Sequence, residues 1–114
     1  MTRFKRGTIV LVPFPFTDLS ALKRRPALVV STDQYNAATG DVIIAQITSR
    51  VNAPPRPGDH LICQWRQAGL VAPSLARARM TTLHSSIVVK SLGRMPQPDL
   101  SAIGRALASV LDLP

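Results

Sequence analysis

Gly40-Asp41-Val42-Ile43-Ile44-Ala45-Gln46-Ile47-Thr48-Ser49-Arg50 decides the fold class. Turn chemistry at Thr39-Gly40-Asp41 releases a run from Val42 to Thr48 dominated by β-branched residues. A short apolar run of that kind, bounded by turn residues, reads as a buried strand. Toward the N-terminus, Ala27-Leu28-Val29-Val30-Ser31 reads as a second strand, with Pro26 suited to its first position. Ile9-Val10-Leu11-Val12 reads as a third, ended by Pro13. Residues 14–25 between them carry Pro15, Asp18, Ser20 and the cluster Lys23-Arg24-Arg25, and read as a long loop.

Toward the C-terminus, Pro54, Pro55, Pro57 and Gly58 mark residues 52–59 as an irregular loop. His60 to Cys63 is expected to form a short strand, and Gln64 to Ala68 one helical turn before Gly69. Pro73 to Arg79 reads as extended or irregular, Thr81 to Leu83 as a brief pairing, and Ser86 to Leu92 as a strand closed by Gly93. The end is helical: Leu100, Ile103, Leu107, Val110 and Leu111 recur at spacings of three and four, with Ser101, Arg105 and Ser109 on the other side. Pro98 and Asp99 suit the first turn of that helix. Gly104 weakens it by about 1 kcal/mol relative to alanine. Four or five short strands and a terminal helix imply one mainly-β domain over residues 1–114, built as a small, strongly bent sheet or barrel.

The chain has 114 residues, enough to bury about two-thirds of its surface without disulfides or metals. One cysteine, Cys63, excludes an intrachain disulfide and fits a reducing cytoplasm; its apolar context predicts an inert buried thiol. The basic start and short apolar run do not read as a signal peptide, and no apolar run is long enough to span a membrane. Fourteen basic residues, eleven of them arginine, stand against six aspartates and no glutamate, for a formal charge of +8. Guanidinium groups bind phosphate through paired hydrogen bonds, so this balance favours a polyanionic partner such as nucleic acid. Solubility alone is the competing explanation of the charge.

Three stretches carry a sharper signal: Gly7-Thr8-Ile9-Val10-Leu11-Val12-Pro13-Phe14-Pro15-Phe16-Thr17-Asp18, Lys23-Arg24-Arg25-Pro26-Ala27-Leu28-Val29-Val30, and the Gly40–Arg50 segment. Pro57-Gly58-Asp59-His60, Ala68-Gly69-Leu70, Pro73-Ser74 and Arg77-Ala78-Arg79 follow in order. Together they resemble the PemK-like branch of the MazF/PemK endoribonuclease toxins, over nearly the whole chain. The resemblance implies an SH3-like barrel with a C-terminal helix, usually a homodimer with RNA grooves along its interface. It also implies a partner antitoxin whose disordered, acidic tail occupies the groove.

Under that resemblance the activity is metal-independent cleavage of single-stranded RNA at short sequence motifs. The 2′-hydroxyl attacks the adjacent phosphorus, leaving a 2′,3′-cyclic phosphate and a 5′-hydroxyl, with no cofactor. Arg25 matches the family arginine before the proline and is assigned to phosphate stabilisation; a solvated loop charge is the plainer reading. Thr48 matches the family threonine, whose hydroxyl can bond a phosphate oxygen or orient the 2′-hydroxyl; an ordinary strand residue is the alternative. Lys23, Arg24, Ser49, Arg50 and Arg77 are candidate RNA contacts, and Phe16 a candidate base-stacking residue. Trp65 is expected to cover the barrel, and His60 and His84 to be structural. Arg77 has no acidic sequence neighbour where relatives place one, which leaves the general base open. Two other readings stand beside this one: a CcdB-like gyrase poison without catalysis, and a non-enzymatic basic barrel that binds nucleic acid.

Overall fold

In a computed structural model of the chain, the described residues are 4–13 and 23–114. The strands are β1 (Thr8–Pro13), β2 (Arg24–Val29), β3 (Asp41–Thr48), β4 (His60–Leu61), β5 (Leu75–His84) and β6 (Lys90–Arg94). They form one antiparallel, curled sheet in the order β4-β5-β3-β2-β1-β6. Two helices accompany it, α1 (Asp33–Thr39) and α2 (Gln97–Val110). The mainly-β fold with a C-terminal helix thus agrees with the sequence expectation, as a half-barrel.

Strand alternation divides the apolar side chains between two cores. Ile9, Leu28, Ile47 and Ala76 join Ile62, Met95 and the α2 residues Leu100, Ile103 and Leu107 in one cluster, with Trp65 packed against it. Val10, Val12, Ala27, Val29, Val42 and Ile44 point the other way and form the second. The amphipathic stripe of α2 therefore closes one face of the sheet.

Several elements differ from expectation. Arg24 and Arg25 belong to β2 and not to the preceding loop. Pro26 sits inside that strand because the ladder to β3 begins only at Ala27. β5 is continuous for ten residues where separate fragments were expected. Ser85–Ile87 is a 3₁₀ turn, so β6 starts at Lys90 instead of Ser86. Cys63 is exposed, because β4 ends at Leu61 and the chain turns outward over residues 63–69. Helix α1 was not expected. Its cap is Thr32, whose hydroxyl accepts the Tyr35 N–H at 3.1 Å, and Gly40 ends it at φ +74°.

Candidate nucleic-acid interface

The register of the sheet builds the site. β2 and β3 pair Ala27 with Gln46, Leu28 with Ala45 and Val29 with Ile44. Continued by two residues, the same register sets Arg25 opposite Thr48. Cross-strand partners share a face with Cβ atoms about 5 Å apart. On the other side of β3, Thr48 pairs with Leu75 and Gln46 with Arg77. β5 in turn pairs Leu75 with Leu61 and Ala76 with His60, which sets Asp59 opposite Arg77. Two parallel rows therefore cross the sheet on one face: Arg25-Thr48-Leu75-Leu61 and Gln46-Arg77-Asp59.

A bulge shapes the second row. Between Ala45 and Gln46 the partner on β5 jumps from Met80 to Arg77. The extra residues, Ala78 and Arg79, bend β5, and bulges of this kind re-aim side chains beside binding sites. The result is a cleft of about 430 Å³ lined by Arg24, Arg25, Gln46, Thr48, Ser49, Arg50, Arg77 and Arg79. Leu70, Val71 and Ala72 form its other wall. That wall is held by Gly69, whose φ is +91° and whose absent Cβ would fall 2.4 Å from the Leu92 carbonyl oxygen. Among the described residues, five arginines and no aspartate line the cleft. Such a surface concentrates polyanions.

Of the residues expected at the site, Arg24, Arg25, Thr48, Ser49, Arg50 and Arg77 come together here. Lys23 is exposed and lies outside the lining. Phe16 lies outside the described residues. The Thr48 Oγ1 accepts the Arg50 N–H at 3.2 Å, which orients the hydroxyl and leaves its proton to donate.

Two participants were missed from the sequence. The first is Asp59, which supplies the acid that Arg77 lacks among its sequence neighbours. Arg77 Nε and Nη2 donate to Asp59 Oδ1 and Oδ2, both at 3.1 Å. Burial works to raise the Asp59 pKa, but the Arg77 hydrogen bonds, the Arg56 N–H and both guanidinium charges hold it below the usual carboxylate value. The hydrogen bonds it donates to Asp59 raise the pKa of Arg77, so both groups stay charged. The second is Gln46. Its Oε1 is buried and has no hydrogen-bond partner among the described residues. The only hint was positional: Gln46 interrupts an otherwise apolar strand on the face of Thr48.

The histidines sit elsewhere. His60 Nε2 donates to Asp99 Oδ1 at 2.8 Å, and Asp99 also accepts the Cys63 and Gln64 N–H groups at 2.9 and 3.1 Å. Burial works to raise the Asp99 pKa, yet the His60 bond and the two amides outweigh it and lower the value. His84 Nδ1 caps the 3₁₀ turn by accepting the Ser86 N–H at 3.1 Å.

A family model described as the PemK-like, MazF-like toxin of type II toxin–antitoxin systems matches residues 5–111. Among solved structures, a mycobacterial endoribonuclease in complex with its cognate antitoxin superposes with a TM-score of 0.77 at 22% identity, covering 97% of each chain. A second mycobacterial endoribonuclease gives 0.75 at 24% identity, covering 100% of this chain and 96% of the other. The MazE–MazF complex of Deinococcus radiodurans gives 0.74 at 26% identity, with 97% of each chain covered. A search of curated proteins finds no match.

Proposed function

We propose, from the premise that this chain belongs to the PemK-like, MazF-like toxins of type II toxin–antitoxin systems, that it is an endoribonuclease whose active site is the arginine-lined cleft. One observation carries the proposal: Arg25 and Thr48 both line that cleft, and the β2–β3 register, continued two residues past the Ala27–Gln46 pair, sets them opposite each other. A guanidinium and a hydroxyl there can act on a single phosphodiester.

The 2′-hydroxyl of the upstream nucleotide attacks the adjacent phosphorus, and the bond to the 5′-oxygen breaks. A 2′,3′-cyclic phosphate and a 5′-hydroxyl result, with the proton lost at the 2′-oxygen balanced by one gained at the 5′-oxygen. Arg25 stabilises the charge that builds on the phosphorane oxygens. Thr48 donates a hydrogen bond from its hydroxyl to a non-bridging oxygen and holds the attack in line. Arg24, Ser49, Arg50 and Arg77 grip flanking phosphates, Lys23 contributes a further phosphate contact, and Phe16 stacks on a base. Gln46 forms part of the cleft surface beneath the bound strand. None of these steps calls on a metal or cofactor. The toxin acts in the cytoplasm on single-stranded RNA at a short motif. It works as a homodimer, and an antitoxin with an acidic tail neutralises it by occupying the same arginines.

The test is incubation of the purified protein with end-labelled RNA, with and without EDTA. Cutting should persist in EDTA and leave cyclic-phosphate ends. It should stop when the scissile 2′-hydroxyl is replaced by hydrogen. Salt-sensitive RNA binding without scission would instead favour a non-enzymatic basic barrel.

A further inference from the structure

Asp59 is an unexpected residue to find beside a site for a polyanion. Its side chain is 5% exposed, and that of Arg77 15%. The carboxylate is fixed from behind by the Arg56 N–H, which reaches Oδ2 at 2.9 Å, while the Asp59 N–H donates to the Arg56 carbonyl at 3.0 Å. From this tight turn it meets Arg77 in a two-point contact through Nε and Nη2. A guanidinium carries five N–H groups in a rigid plane. Two are taken by Asp59, so both N–H groups of Nη1 and one of Nη2 are left, on a side chain that lines the cleft.

We propose that Asp59 is a positioning residue for RNA: it clamps Arg77 so that the remaining guanidinium N–H groups are presented to a phosphate flanking the scissile one. The inference rests on the cleft being an RNA site. An arginine on a strand would otherwise have to lose its rotamer freedom when the substrate arrives, and the clamp removes that freedom beforehand. The bulge serves the same end by bringing Arg77, rather than Arg79, opposite Gln46.

The sign of one substitution separates this role from a purely structural or electrostatic one. Removing a negative charge beside a polyanion site tightens binding if the charge does nothing else. A lost clamp weakens it. The experiment therefore compares wild type, Asp59→Asn, Asp59→Glu, Arg77→Ala and the Asp59→Asn/Arg77→Ala double variant, each well below its unfolding midpoint. It reads kcat and KM on a cleaved RNA, and Kd for the same strand with a single 2′-deoxy nucleotide at the scissile position.

Asp59→Asn is expected to raise KM and Kd about tenfold with kcat little changed, the loss of one charge-assisted contact made equally in ground and transition states. Asp59→Glu should recover part of that loss. The double variant should be no worse than Arg77→Ala alone, because the clamp acts only through Arg77. Asp59→Asn that binds as tightly as wild type, or more tightly, overturns the clamp. Additive losses in the double variant overturn it as well. If wild type itself neither binds nor cuts RNA, the reading of the cleft fails first, and that outcome is distinct.

Discussion

Asp59 and His60 are neighbours in sequence, at the end of a turn and the start of β4, and their side chains take different partners. Asp59 pairs with Arg77, one of the residues that line the cleft. His60 turns inward and meets Asp99 of α2. The two ion pairs look alike on paper, each with an aspartate held below its ordinary pKa. Their surroundings differ. Asp99 is 2% exposed and satisfies two backbone amides of the 63–69 turn, so it ties helix, turn and β4 together. Asp59 holds one guanidinium at the edge of an open cleft. The same chemistry therefore ties elements of the fold together around Asp99 and, at Asp59, fixes an arginine that lines the cleft.

Asp99→Ala should produce the largest stability effect. It leaves two partly buried amides and the His60 imidazole without their acceptor, which costs about 3 kcal/mol. Thermal unfolding should move down by roughly 10 °C or more. RNA cleavage per folded molecule should be unchanged. Cleavage lost in step with an intact melting temperature would break the division between the two pairs. Asp59→Asn should invert the pattern, with RNA affinity falling and a smaller loss of stability, of about 1 kcal/mol.

Acid sharpens the comparison. Both aspartates have lowered folded-state pKa values relative to 3.8. A depressed carboxylate contributes stability that is fully present above its unfolded pKa and is lost as pH falls through the folded one. Unfolding free energy should therefore be flat in this respect near neutrality and fall below about pH 4. In Asp99→Asn the fall should be shallower, because one of the two contributing carboxylates is gone. An unaltered acid slope would contradict the assigned cause.

The smallest effect is expected at Gln46. Replacing a buried, unsatisfied acceptor by the similar-sized apolar Met is neutral or stabilising by a fraction of a kcal/mol. Gln46→Met should keep or raise the melting temperature while lowering cleavage several-fold or shifting the preferred motif. A variant that loses stability and retains full activity would show that the orphaned oxygen has no role in the cleft.

The legibility of these features in the sequence follows from how local each one is. β1, β3 and α2 were readable because their apolar residues recur with strand or helix period within one short window. Arg25 and Thr48 were readable through motifs that sit inside single stretches. α1 was missed because Asp33-Gln34-Tyr35-Asn36-Ala37-Ala38-Thr39 carries no apolar stripe, and its one buried residue is Asn36. The length of β5 was hidden by the bulge at Ala78 and Arg79, which interrupts alternation. Val88 and Val89 read as ladder residues; Val88 packs against the second core, and the Val89 N–H reaches the Leu11 carbonyl just ahead of β6. Asp59 belongs to the site only through the β4–β5 register, a pairing across 18 residues that no local pattern announces.

In the proposed reaction, the cooperation of Arg25 and Thr48 on one phosphodiester is what separates an active site from a basic surface. It is tested most directly by a double-mutant cycle on RNA cleavage. Arg25→Ala should lower kcat by about a hundredfold to a thousandfold. Thr48→Ala should lower it less, and the double variant should be close to Arg25→Ala alone, as for groups that work as a unit. Full activity in either single variant, or losses that simply multiply in the double, would contradict it.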